Sequence, residues 1–347
     1  MSKEDKTDDE LKRIIIESRP NIKIIGIGGA GCKVVSRLME AGIEGAETIV
    51  INTDAQALLN AKAHHKILIG KSITRGLGTG SILELGDSAA REDAPIIRDT
   101  VKGVDLAFIT CGLGGGTGTG STPVIAEITK NSGALTILMI TLPLKSEGPS
   151  RMRNAHIGLN RLKNIVDSVI VIPNQKLLEL TSSSTSASAY KLADEILVTT
   201  LKGIVESITK PGLVNLDFAD FKTIIGGKNI GMIGIGEGEG PNRAIIAASE
   251  ALNSPLLEID INGAKGALIN IVGGYDLKME ETGRIVNEVS KKLSKGAHII
   301  WGAQLDPEFG DKVRVTIVVS GLKLSTPTMS VRFNDKRLRE ILGKNNF

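Results

Sequence analysis

Aromatic side chains make up only 3% of the 347 residues. That is too few for the stacking platforms that hold single-stranded nucleic acid. Charge of one sign is scarce as well. Lys and Arg number 42 against 39 Asp and Glu, and a net charge of +3 is too small to coat a nucleic-acid surface. No apolar run reaches the ~18 residues of a membrane span, and the polar N-terminus does not read as a signal peptide. A cytoplasmic chain is therefore expected, with no nucleic-acid partner and no direct membrane span. There are two cysteines, Cys32 and Cys111, without metal-ligand spacing. A reduced pair is the default and a disulfide the alternative. Of the four histidines none shows ligand spacing, and His298 alternates into a strand as a structural residue.

Glycine is plentiful, at 40 residues, within an otherwise ordinary globular composition of 41% apolar and 23% charged residues. The length suffices for two domains with separate cores. The densest cluster is Gly112-Leu113-Gly114-Gly115-Gly116-Thr117-Gly118-Thr119-Gly120, six glycines in nine residues. It follows an apolar run, Val104 to Thr110, that reads as a buried strand. It precedes Ser121 to Ser132, which reads as a helix with Pro123 in its first turn. A strand, a glycine loop and a helix start make a phosphate cradle. Glycine lets successive N–H groups turn inward, and the helix start adds unpaired donors. A flexible linker is the plain alternative, but linkers are seldom clamped between strand and helix. The cluster is not a Walker loop. Gly70-Lys71-Ser72 supplies the tail of one, but position 65 is His.

The glycine-loop pattern resembles the signature loop of the tubulin and FtsZ family of GTPases, and two further runs resemble the same family in order. Asn52-Thr53-Asp54-Ala55-Gln56-Ala57-Leu58 follows a strand at Thr48 to Asn52, and Pro211 to Phe221 carries Asn215, Asp217 and Asp220. The resemblance covers residues 21 to 321. It implies an α/β fold: a Rossmann-like GTP-binding domain, a long central helix and a second α/β domain with a mixed sheet. The expected division is a mobile arm at 1–20, the GTP-binding domain at 21–188 and the central helix at 189–210. A catalytic loop and connection at 211–224, the second domain at 225–321 and a tail at 322–347 complete it.

The resemblance also implies site residues. The turn after the first strand (Asn21 to Ile27) gives Gly28, Gly29, Ala30, Gly31, Cys32 and Lys33, where most relatives have asparagine at position 33. Asn52 and Asp54 follow the second strand. Thr74 to Gly80 forms another glycine-rich loop, with Gly78 and Gly80 toward the γ-phosphate, although Ser81-Ile82-Leu83-Glu84-Leu85 departs from the usual continuation. Gly112, Gly114, Gly115, Gly116, Thr117, Gly118, Thr119 and Gly120 make the main cradle. Pro143, Glu147 and Arg151 lie beside ribose and phosphates, and Asn174 near sugar and base. Tyr190 would stack on guanine and Asp194 accept from its N1 and N2 groups. Asn215, Asp217 and Asp220 would act on the nucleotide of the next subunit. Mg²⁺ is expected with GTP or GDP through the phosphates and not through a dedicated metal site.

The functional expectation is a GTP-hydrolysing filament protein assembling head to tail with itself, located at the division site. The basic segment 331–342 (Lys336, Arg337 and Arg339 among Leu338, Ile341 and Leu342) is either a peptide for a membrane-tether protein or a frayed end. Two other classes stay open. Gly26, Gly28 and Gly31 fit Gly-x-Gly-x-x-Gly, and Asp54 lies 23 residues beyond Gly31, which suits a NAD(P)- or FAD-binding oxidoreductase. That reading leaves the Gly112 loop unexplained. A nucleotide-gated scaffold with little turnover is the other.

Overall fold

The computed structural model describes residues 19–180, 185–227, 229–257, 261 and 264–321. Residues 1–18 of the arm, 182–184 of the polar stretch Ser182 to Ser188, and the tail with its 331–342 segment lie outside the described residues. In chain order the elements are β1 (Ile22–Ile27), α1 (Gly28–Glu40), β2 (Glu47–Asn52), α2 (Ala55–Asn60), β3 (His65–Leu68), α3 (Lys71–Thr74), α4 (Leu83–Glu92), α5 (Ala94–Thr100), β4 (Leu106–Gly112), α6 (Gly116–Asn131), β5 (Leu135–Leu142), α7 (Pro149–Leu162), β6 (Ser168–Pro173) and α8 (Asn174–Leu180). Then come α9 (Ser186–Thr209), α10 (Phe218–Ile225), β7 (Asn229–Glu239), α11 (Arg243–Leu252), β8 (Gly266–Gly273), α12 (Met279–Ser290), β9 (His298–Leu305) and β10 (Lys312–Ser320).

Ten strands form one sheet in the order β3-β2-β1-β4-β5-β6-β7-β10-β8-β9. The first six are parallel. Their runs of Ile, Val and Leu are apolar on both faces, as a sheet covered on both sides requires. Helices α4 to α7 bury Ala89, Ile97, Val124, Ile125 and Leu159 against one face. Helices α1, α9 and α10 bury Leu38, Leu197, Leu201 and Phe221 against the other. Strand order reverses between β1 and β4, so the loops after those two strands flank the crevice where open α/β sheets bind ligands.

The long strand β7 joins the two halves. Its first residues pair in parallel with β6, and Met232 to Glu239 pair antiparallel with β10. The sequence pattern gives a strand only over 231–235, because after Gly234 the further glycines at 236 and 238 argue against continuing it. Those glycines share one face. A Cβ on each would run into the carbonyls of Ala251, Ala247 and Arg243, so α11 lies directly on a glycine track. A third core, with Ile269, Ile285, Val315 and Ile317, fills the second half.

Other boundaries also differ from the sequence pattern. Helix α6 begins at Gly116, five residues before the expected start, so Pro123 lies inside it and not in its first turn. The expected helix over 87–101 is two helices, broken at Asp93. Asn174 opens a helix that the sequence pattern does not predict. Cys32 and Cys111 are both free and buried, which removes the disulfide alternative. His298 stands exposed at the start of β9. Among the described residues no helix is long and apolar enough to cross a membrane.

Candidate functional site

Two helix starts meet at the crevice. Helices α1 and α6 begin at Gly28 and Gly116, and neither N-cap, Ile27 or Gly115, offers a side chain to the first-turn N–H groups. They approach closely enough that a Cβ on Gly28 would lie 3.0 Å from the Gly118 nitrogen. Gly28 also has φ +69, where a side chain is strained. Uncapped N–H donors and two positive dipole ends therefore face one place, which suits an anion.

The glycines of the signature cluster do different jobs. Gly115 has open space where a Cβ would go. A Cβ on Gly116 would lie 2.7 Å from the Ile82 oxygen, and one on Gly118 2.7 Å from the Gly112 oxygen. Gly120 would strike the Leu83 carbonyl, and Gly86 the Gly116 carbonyl. Gly116 and Gly120 therefore let α6 lie against α4, so a side chain at 116 would meet the backbone of Ile82 and not ligand space alone. Gly114, at φ +109, sits under the Arg151 carbonyl and the ring of Pro143.

Threonine hydroxyls join the loops. Thr117 Oγ1 is 2.6 Å from Thr53 Oγ1 and 3.2 Å from Thr79 Oγ1, linking the loops after β2 and α3 to α6. Thr119 Oγ1 accepts from the Gly114 N–H at 2.8 Å. The Gly78 N–H donates to the Thr53 carbonyl at 3.2 Å, and Gly78 and Gly80 both have positive φ. Asn154 on α7 donates to the carbonyls of Ser81 and Gly114.

Several expected contacts are occupied within the loops themselves. Asn52 Oδ1 accepts from the Thr53 N–H, and its amide nitrogen lies 3.8 Å from Cys32 Sγ. Asp54 caps α2 by accepting from the Ala57 N–H at 2.9 Å. Burial pushes the Cys32 thiol up to about 12, so its side chain belongs to the core. What Cys32 and Asn52 offer a ligand is backbone and position. Gly29, Ala30 and Lys33 are exposed at the start of α1.

Glu147 organises the opposite wall. Its Oε2 accepts from Arg151 at 2.6 Å, and its Oε1 from the Leu144 N–H at 2.8 Å and the Tyr190 hydroxyl at 2.7 Å. Burial pushes this carboxyl up, but the three donors outweigh it and hold it below the ordinary range. Burial and the Glu147 carboxylate push Tyr190 up to about 12, while its ring remains partly exposed. Asn174 is buried at 4% exposure, and its Oδ1 has no hydrogen-bond partner among the described residues. A buried acceptor without a donor is costly, and here a ligand donor would relieve it.

Asn215, Asp217 and Asp220 are not brought to these loops. They follow the far end of α9, and the 19 residues from Tyr190 to Thr209 span roughly 29 Å at 1.5 Å per residue. Asn215 Oδ1 accepts from the Gly212 N–H at 2.6 Å, and Asp217 caps α10 through the Ala219 N–H at 2.7 Å. All three are exposed. Buried Leu216 and the Val214–Ala303 bridge fix the segment beneath them.

Among the described residues no cluster of three or more His, Cys, Asp or Glu is arranged to hold a metal ion. Sequence reasoning missed Thr79 and Asn154 as loop ties, and Arg37, whose Nε lies 3.5 Å from Asp194 Oδ2. Only the position of Arg37, one turn beyond Lys33, signals it.

Two family models match the chain: the GTPase domain of the Tubulin/FtsZ family over residues 21–182, and the C-terminal domain of the FtsZ family over residues 229–323. Cell division protein FtsZ 1 of Thermococcus kodakarensis is 52% identical over 315 residues, which cover 91% of this chain and 84% of that protein. Cell division protein FtsZ of Methanothermobacter thermautotrophicus is 52% identical over 316 residues, covering 91% and 83%. A solved structure of an empty FtsZ dimer from M. jannaschii matches at a TM-score of 0.87 and 50% identity, over 93% of each chain. At 20% identity, a GTPγS-bound CetZ2 protofilament from Haloferax volcanii shares the fold, with a TM-score of 0.75 over 93% of this chain and 99% of that one.

Proposed function

The chain belongs to the tubulin/FtsZ family, and from that premise we propose that it is a filament-forming GTPase of cell division. GTP sits at the crevice between β1 and β4, with its phosphates on the starts of α1 and α6 and its base between Tyr190 and Asp194. Asn174 accepts from the sugar or base, and Glu147 holds Arg151 toward the phosphates. Bound Mg²⁺ offsets phosphate charge. The chain's own contribution is positioning and aligned N–H donors, which suits phosphoryl transfer. Asp217 and Asp220, with Asn215 shaping their loop, orient the attacking water on the nucleotide of the next subunit.

One observation carries the shared site: the acidic loop stands a helix length away from the crevice of its own chain. A contact that joins crevice to acidic loop is heterologous, and repeated without closure it builds a filament. The domain division into 21–188, the central helix and 225–321 fits this reading, with β7 as the joint. The chain would be cytoplasmic and would gather at the division site. A tether partner for 331–342 belongs to the same proposal.

The test follows phosphate release and light scattering together as protein concentration rises. Specific activity should climb with a threshold, with GTP and not with ATP. A Gly115→Val chain mixed with an Asp217→Ala chain should recover activity that neither has alone. Activity independent of concentration, with Asp217→Ala fully active when dilute, would refute the shared site. Tightly held NAD or flavin on the purified chain would instead favour the oxidoreductase.

A further inference from the structure

Asp194 lies one helical turn after Tyr190 on α9, and Arg37 of α1 stands against it. Arg37 Nε is 3.5 Å from Asp194 Oδ2, and Arg37 Nη1 donates to the Lys191 carbonyl at 3.3 Å. One guanidinium thus holds α9 at two points about a turn apart. Lys33 lies one turn before Arg37 on α1, on the same side. The Asp194 side chain is 14% exposed. Burial pushes its carboxyl above the ordinary range; Arg37 and then Lys33 pull it back, and Glu195 on α9 pushes it further up.

The charge on this carboxyl decides which base edge it reads. An ionised carboxylate only accepts, and its two oxygens match the adjacent N1–H and N2–H donors of guanine. A protonated carboxyl offers one donor and one acceptor. That pattern clashes with guanine and suits the N1 acceptor and N6–H donor of adenine. We propose that Arg37 is a positioning residue that sets guanine specificity: its guanidinium, seconded by Lys33, keeps Asp194 acceptor-only and aims it at the base. The inference rests on the reading of Asp194 as the base-recognising residue.

The experiment measures equilibrium binding of GTP, ATP and xanthosine triphosphate to the full chain. The proteins are the parent, Arg37→Met, Arg37→Lys, Asp194→Asn and the Arg37→Met/Asp194→Asn double variant. Arg37→Met should weaken GTP about 10- to 100-fold, the range of one hydrogen bond to a charged group, and should narrow the GTP-to-ATP ratio. Arg37→Lys should recover most of the loss. Asp194→Asn should shift preference from GTP to xanthosine triphosphate, because an amide pairs with the N1–H and O2 of xanthine. In that background no charge remains to support, so Arg37→Met should leave xanthosine triphosphate affinity nearly unchanged. An equal loss there would reduce Arg37 to a strap between α1 and α9 and overturn the proposal, as would unaltered GTP affinity in Arg37→Met. Asp194→Asn with its GTP preference intact would sink the base reading itself, and this inference with it.

Discussion

The two ends of α9 hold polar groups in opposite ways. At its start, side chains bond across long stretches of sequence. Tyr190 reaches Glu147, Thr53 reaches Thr117, Asn154 reaches Ser81, and Arg37 reaches Asp194. At its end, Asn215 and Asp217 bond only to N–H groups two or three residues away. The first set ties distant segments into one wall, the kind of cross-linked support that electrostatic preorganisation uses. The second set is fixed in place but presents its carboxylates outward. On the proposed reading, one end is the receptor and the other is the group delivered to the next subunit.

The sharpest way to break that contrast is to remove the delivered group. Asp217→Ala should lower turnover roughly 10²- to 10⁴-fold, the usual range for a lost general base, and leave GTP affinity intact. Asp217 also caps α10, and alanine removes the cap at a cost of about 1 kcal/mol. Asp217→Asn keeps a good cap and loses only the charge. If catalysis needs the carboxylate, both variants lose turnover. If Asn restores it, the residue serves α10 and the far end of α9 is merely structural. Single-turnover phosphate release on assembled protein separates the two.

The next test sharpens the receptor end. Gly116→Val drives a side chain into the backbone of Ile82 and should destabilise the fold by about 1–3 kcal/mol, the range for overpacking. Gly115→Val enters open space and should keep the parent's thermal midpoint while losing nucleotide. Thermal unfolding beside fluorescent-nucleotide binding reads both. Equal midpoints for the two variants would mean that α6 does not rest on α4 through Gly116.

What the sequence disclosed depended on how local the cause was. The parallel strands were legible from their apolar runs, and the cradle from six glycines between strand and helix. The true start of α6 was not. Gly-Thr-Gly-Thr-Gly has poor helix propensity, and only close contact with α4 makes glycine the residue that fits. The same holds for β7, where Gly236 and Gly238 read as a loop until α11 is laid on them. Candidate site residues were named where family-like runs mark them. Their partnerships were not, because the bond from Tyr190 to Glu147 spans 43 residues and leaves no spacing in the chain. Arg37 escaped for the same reason.

A smaller effect probes how firmly the receptor wall is built. The Glu147 carboxyl is held below its ordinary pKa in the folded chain, so its contribution to stability is present above the unfolded value near pH 4.3 and is lost as pH falls through the folded one. Glu147→Gln should cost about 1–2 kcal/mol near neutral pH, because an amide has one acceptor oxygen where the carboxylate uses two, so the Arg151 bond is lost and the Leu144 and Tyr190 bonds become neutral. The cost should shrink as pH drops below about 4. Denaturant midpoints from pH 7 downward show whether the two curves converge. Parallel curves would mean that the three bonds add nothing to the fold.

The smallest expected effect concerns Lys33, where the family resemblance leads one to expect asparagine and this chain carries an ammonium. Lys33 is exposed on the second turn of α1, close enough for its charge to act on Asp194. Both the phosphates and that carboxylate are negative, so a cation there favours the loaded site whichever it faces. Because it is solvated, the gain should be small, about 0.2–1 kcal/mol as for exposed ion pairs. Screening should erase most of it, since the Debye length falls to about 3 Å at 1 M salt. Lys33→Asn should therefore weaken GTP by no more than about fivefold at low salt and hardly at all at high salt. Titrations at the two salt concentrations decide the matter. A loss that persists at high salt would place the ammonium in a direct, desolvated contact. No loss at either salt would leave Lys33 pointing to water, with Arg37 the one cation of α1 that serves the receptor end.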